Sequence, residues 1–152
     1  MTELKPILLV EDNPKDLELT LAALEQCQLA NSVVIARDGV EALDYLHRRG
    51  KYAKGQFLDP AVVLLDLKLP KIDGLEVLEQ IKKDPALQQT PVVMLTSSRE
   101  EQDLIRSYSL GVNAFVVKPV GFEDFLRAIQ DLGMFWAVLN EPPPRGIAAR
   151  KP

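Results

Sequence analysis

Cysteine occurs once in the 152 residues, as Cys27, so no disulfide can form within the chain. Its place in a helical pattern suits a small core filler. No apolar run approaches the ~18 residues needed to cross a bilayer. The start, "MTELKP", enters a strand pattern without the basic region and apolar stretch of a leader. A cytoplasmic location with no membrane contact is expected. Concentrated basic charge is also missing. The formal net charge is −4, and only Arg48, Arg49, Lys51 and Lys54 form a small group. Nucleic-acid binding needs a basic face, so no nucleic-acid partner is expected. There is no internal repeat and no glycine-rich phosphate loop. The turn after the first apolar run is "EDNPKD", which repels phosphate unless a cation intervenes. That excludes a simple nucleotide binder and a flavodoxin-like electron carrier.

What is present suits one domain with a core: 47% of residues are apolar and 26% charged. Short apolar runs at 6–10, 32–36, 61–66, 91–96 and 114–118 predict strands buried on both faces. Helical patterns separate them. The first follows Asn13 as N-cap and Pro14 at the first helical position, with Leu17, Leu21 and Leu24 on one face. The others cover 39–49, 73–83, 99–109 and 121–139. Alternating strands and helices call for an α/β fold: a five-stranded parallel sheet with helices on both faces. The segment 50–60, "GKYAKGQFLDP", is long for a helix-to-strand connection and reads as a tolerated surface insertion, with a contact loop as the alternative.

The strand ends carry the chemistry. The first strand ends in Glu11-Asp12, the third in Asp66, the fourth in Thr96 and the fifth in Lys118-Pro119. With strand order 2-1-3-4-5, Glu11, Asp12 and Asp66 flank the crevice where the order reverses, the place where such sheets bind ligands. Each of these residues alone has a plain explanation as a polar strand terminator. Together they form a set. Three crowded acids repel one another and require a cation, and an all-oxygen donor set suits Mg²⁺. The cation and Lys118 would neutralise an incoming phosphoryl group, Thr96 would donate to one of its oxygens, and a carboxylate can itself accept it as an acyl phosphate.

The motifs "LLVEDNP", "VVLLDLKLPKIDGLEVL", "PVVMLTS" and "GVNAFVVKP" resemble, in order and spacing from about residue 5 to 132, the receiver domains of two-component response regulators. The resemblance implies a flavodoxin-like receiver fold and a phosphorelay role, not a conventional enzyme. Asp66 would accept a phosphoryl group from a sensor histidine kinase's phosphohistidine. Mg²⁺ would be held by Asp12, Asp66 and the backbone carbonyl of Lys68, with Glu11 acting through water. Thr96 and Phe115 would be the switch pair, and the peptide before Pro119 would be cis. The long loop before strand three and the end "MFWAVLNEPPP" resemble, more narrowly, the stand-alone regulators of bacterial phytochrome kinases. Lys68 and Ser98 depart from many receivers at positions bordering the phosphoryl group. Lys68 also stands where a haloacid-dehalogenase-type phosphatase would need a second aspartate. An adaptor that is never phosphorylated, or a phosphate sink, remains the alternative role.

The receiver is expected to occupy residues 1–139, with a Pro/Arg-containing tail at 140–152 and no output domain. In the last helix, Phe122, Leu126, Ile129, Gly133 and Trp136 form one stripe expected to face the sheet, with Phe125 and Leu132 at its border. Met134, Phe135 and Val138 point elsewhere. They predict a homodimer through the last strand and helix, or else a cover formed by the tail.

Overall fold

A computed structural model describes residues 4–55, 57–112 and 114–132. Five strands, β1 (Ile7–Val10), β2 (Val33–Ala36), β3 (Val62–Asp66), β4 (Val92–Thr96) and β5 (Ala114–Val117), alternate with α1 (Pro14–Gln26), α2 (Gly39–His47), α3 (Gly74–Lys83), α4 (Arg99–Ser107) and α5 (Phe122–Asp131). All strand pairs are parallel, in the order β2-β1-β3-β4-β5. The observed elements are one or two residues shorter than the apolar and helical patterns at several ends.

The strands lack polar alternation because both faces of the sheet are covered. Leu8, Val10, Val63, Leu65 and Met94 belong to one buried cluster with α2, α3 and α4 residues. Ile7, Leu9, Val62, Leu64, Val93 and Leu95 belong to another with α1 and α5 residues. This period-two division follows from the pleat. Truncating one of these fully buried leucines to Ala would cost about 2–5 kcal/mol. Cys27 is partly buried at the edge of the second cluster, its Sγ 3.9 Å from the Phe122 carbonyl oxygen. None of the described helices is long and apolar enough to cross a membrane.

Helix starts follow local chemistry. Asn13, Asp38, Asp73 and Ser98 each cap a helix by accepting a backbone N–H from three residues ahead. The α5 face differs from the expected stripe. Phe125, Ala128 and Ile129 are buried, Leu132 packs beside them, and Phe122 is 37% exposed. The helix packs against α1 and β5 through this face, and Phe122 and Leu126 lie to its side. Gly133, Met134, Phe135, Trp136 and Val138 lie outside the described residues.

Segment 50–60 is more than a tolerated insertion. Gly50–Tyr52 forms a 3₁₀ turn, and Tyr52 is buried. The Tyr45, Tyr52 and Phe57 rings meet edge to face, with centroids 5.0–6.0 Å apart. Tyr45 Oη donates to the Leu58 carbonyl at 2.7 Å, and Arg48 pairs with Asp59 at 3.0 Å.

Candidate functional site

β1 and β3 lie side by side with Val10 opposite Leu65, so the residues that follow, Glu11 and Asp66, emerge together. The chain visits β2 on one side of β1 and then crosses to β3 on the other. The acids therefore stand at the carboxyl edge where the strand order reverses. Glu11, Asp12 and Asp66 each offer a carboxylate oxygen, all within 4.8 Å of one another. Glu11 and Asp66 are buried, at 0% and 4% exposure, while Asp12 is exposed.

Lys118 supplies the local positive charge. Its Nζ lies 3.2 Å from Asp66 Oδ1, 3.1 Å from Asp16 Oδ2 and 3.4 Å from Glu11 Oε1. Burial acts to depress the ammonium's pKa, but the charges and bonds of Asp66, Asp16 and Glu11 outweigh it and the net shift is upward. Glu11 is pushed up to about 7, first by burial and then by the charge of Asp66. Lys118 and the Asn13 N–H, which donates to Glu11 Oε2 at 3.3 Å, pull the other way without cancelling this. One ammonium thus leaves three carboxylates incompletely compensated. The donors are all hard oxygens, so the residues present fit a divalent cation.

The backbone that carries Lys118 is tied to β4. Its N–H donates to the Thr96 carbonyl at 2.7 Å, and the Lys118–Pro119 peptide is cis. Thr96 is fully buried, and its Oγ1 accepts from Gln102 Nε2 of α4 at 3.4 Å. Phe115 on β5 is half-buried, with the Arg106 guanidinium over its ring. Beyond β3, the loop is held against Asp66 by Gly74. Its N–H donates to the Leu67 carbonyl at 2.8 Å, and a Cβ at Gly74 would stand 2.0 Å from the Asp66 carbonyl oxygen.

Lys68 and Ser98, singled out at the border of the acceptor, have partners on α4. Ser98 caps α4, and its Oγ accepts from Glu101 N–H at 3.2 Å. Glu101 Oε1 accepts from Ser97 N–H at 2.7 Å, and its Oε2 is 3.5 Å from the largely exposed Lys68 Nζ. Both side chains are engaged with Glu101. Sequence reasoning brought Glu11, Asp12, Asp66, Thr96 and Lys118 to one edge, but it missed Asp16, Gln102 and Arg106. Asp16 stands three residues after the Asn13 cap and reads as an ordinary first-turn acid. Nothing local signals a partner 102 residues away.

The family profile described as "Response regulator receiver domain" matches residues 7–130. The bacteriophytochrome response regulator AtBRR is 73% identical, with a TM-score of 0.87 over 92% of this chain and 100% of that one. Response regulator Rcp1 of Synechocystis is 41% identical over 87% of this chain and 88% of its own length. Its Mn²⁺-bound form superposes with a TM-score of 0.70 at 39% identity, covering 92% of this chain and 99% of that one. A probable methanogenesis regulatory protein, FilR2 of Methanothrix harundinacea, is 45% identical over 90% of this chain and 86% of its own length. By these matches, the first of which spans most of the chain, the protein belongs to the response regulator receiver family.

Proposed function

We propose that Asp66 accepts a phosphoryl group from the phosphohistidine of a sensor kinase. The observation that carries this is the Lys118 ammonium 3.2 Å from Asp66 Oδ1 within the acidic cluster. In the transfer, an Asp66 carboxylate oxygen bonds to phosphorus as the P–N bond to the donor imidazole breaks. The electron pair stays on the imidazole nitrogen, which takes a proton and leaves as histidine. Lys118 offsets the negative charge of the arriving group, and Thr96 exchanges Gln102 for a phosphoryl oxygen. Phe115 then turns inward, and the face formed by α4, β5 and α5 changes. This is a shift between states already sampled.

Asp12, Asp66 and the Lys68 carbonyl would hold the divalent cation, with Glu11 acting through water; we take it to be Mg²⁺. When bound, it neutralises the carboxylates that would repel a phosphate donor. The sensor kinase is proposed to be a phytochrome, on the strength of the likeness to AtBRR. The partner of the changing face is proposed to be a second copy, paired through the last strand and helix. Val117 and Phe122, 48% and 37% exposed, support this pairing, to which Met134, Phe135 and Val138 would add. Sedimentation with and without a phosphoryl mimic tests the pairing, and a monomer in both conditions would overturn it.

The test of the acceptor is labelling by acetyl phosphate or by a phosphorylated kinase. Asp66→Asn should abolish an acid-labile label, and chelating the divalent cation should do the same. Wild-type labelling of the variant would overturn the assignment.

A further inference from the structure

An ammonium has three N–H donors, and three carboxylates stand around that of Lys118. The shortest contact, 3.1 Å, is to Asp16. Glu11 follows β1 and Asp66 ends β3 at the acceptor itself, whereas Asp16 comes from the first turn of α1. Its own backbone is fixed there: Pro14 opens the helix, and the Asp16 N–H donates to Asn13 Oδ1 at 2.9 Å. Lys118, by contrast, follows the edge strand β5, and its charge sits at the end of a flexible four-carbon stem. Directing that stem is a separate requirement from supplying the charge.

We propose that Asp16 is a positioning residue that holds the Lys118 ammonium beside Asp66, where the phosphoryl group arrives. The inference rests on the acceptor role proposed for Asp66. Neither of the other two carboxylates serves equally through the reaction. Asp66 is converted from a carboxylate to an acyl phosphate, so its carboxylate hold on Lys118 ends as transfer proceeds. Glu11 is fully buried within the acid cluster. Asp16 is unchanged by the chemistry, and its helix start anchors it.

The test combines labelling rates with a direct view of Lys118. Asp16→Asn should slow acetyl-phosphate labelling of Asp66 about tenfold, the scale of one lost charge-assisted hydrogen bond. Asp16→Glu, which keeps the carboxylate, should recover most of the rate. In a Lys118→Ala background, Asp16→Asn should cost nothing further, because its effect passes through the ammonium. In ¹⁵N-labelled protein without metal or phosphodonor, the Lys118 Nζ resonance should broaden or vanish in Asp16→Asn as its protons exchange faster, and persist in Asp16→Glu. Wild-type labelling by Asp16→Asn, an equal slowing in the Lys118→Ala background, or an unchanged Nζ resonance would overturn the proposal. If the wild-type protein is not labelled at Asp66, it is the acceptor assignment that fails. The Nζ resonance then still reports whether Asp16 holds Lys118.

Discussion

Arg106 lies over the ring of Phe115, its guanidinium carbon 4.5 Å from the ring centroid. One turn earlier on α4, Gln102 Nε2 donates to Thr96 Oγ1 at 3.4 Å. A single helix face thus holds both members of the proposed switch pair in the unphosphorylated arrangement. The Gln102, Arg106 and Phe115 side chains also line one cavity of about 290 Å³. Arg106→Ala should release Phe115 and raise the inward-turned population without phosphorylation. A cation–π contact of about 0.5–1 kcal/mol corresponds to roughly a 2–5-fold change in that ratio. A fluorine label on the Phe115 ring would report it as a shifted or second resonance. An unchanged spectrum would show that Arg106 does not restrain the ring.

Gly74 sets the distance between α3 and the acceptor strand. A Cβ there would meet the Asp66 carbonyl oxygen at 2.0 Å and Leu67 Cα at 2.8 Å, both backbone atoms that cannot swing aside. Gly74→Ala should therefore push the β3–α3 loop away from the site. The expected loss is about 1–3 kcal/mol of stability, the usual range for overpacking. Slower labelling of Asp66 should accompany it, read by urea unfolding and acetyl-phosphate kinetics on the same sample. A variant as stable as wild type would mean that the loop moves at no cost.

Acid should weaken the start of α2. Asp38 accepts from the Glu41 N–H at 2.7 Å and lies 3.3 Å from Lys71 Nζ. The Glu41 bond first, then Lys71, hold its carboxyl below the usual range despite some desolvation. A carboxylate with a depressed folded pKa adds stability in full above its unfolded value of about 3.9, and loses it as pH falls through the folded value. Asp38→Ala should cost about 1 kcal/mol at neutral pH. The gap between variant and wild type should narrow as the medium is acidified below that range. A gap that stays constant with pH would show that the cap's charge contributes nothing.

The sheet and the main site residues were legible because two independent patterns coincide. Fully apolar runs mark strands buried on both faces, and Glu11, Asp66, Thr96 and Lys118 stand at the ends of four of the five. Parallel order then brings Glu11, Asp12, Asp66, Thr96 and Lys118 to one edge. The rest depended on tertiary placement. The face that α5 buries carries Phe125, Ala128 and Ile129, so a helical wheel centred on Phe122 and Leu126 misjudged the inward face. Asp16, Gln102 and Arg106 look like ordinary charged and polar helix residues, and only the packing of α1 and α4 against the strand ends gives them partners. Lys68 and Ser98 were singled out by position, whereas Glu101, in the first turn of α4, decides what they touch.

The same dependence on packing makes the 50–60 segment testable apart from the site. Tyr52 is 8% exposed, and its ring is 5.0 Å from that of Tyr45 and 5.3 Å from that of Phe57. Its hydroxyl lies 3.4 Å from Glu41 Oε2, which also pairs with Lys51 Nζ at 2.6 Å. Removing only the hydroxyl leaves the rings in contact, and Glu41 keeps Lys51. Tyr52→Phe should therefore cost no more than about 0.5–1.5 kcal/mol. Tyr52→Ala removes one of the three rings and opens a cavity between α2 and the loop, which should cost about 3 kcal/mol, the low end for truncating a buried aromatic. None of these contacts reaches Asp66 or Lys118, so labelling of Asp66 by acetyl phosphate should proceed at the wild-type rate in both variants under conditions where they remain folded. Equal destabilisation by the two substitutions would assign the loop's hold to the hydroxyl instead of the rings. Slowed labelling in a folded Tyr52→Ala protein would show that the segment and the acceptor edge are coupled after all.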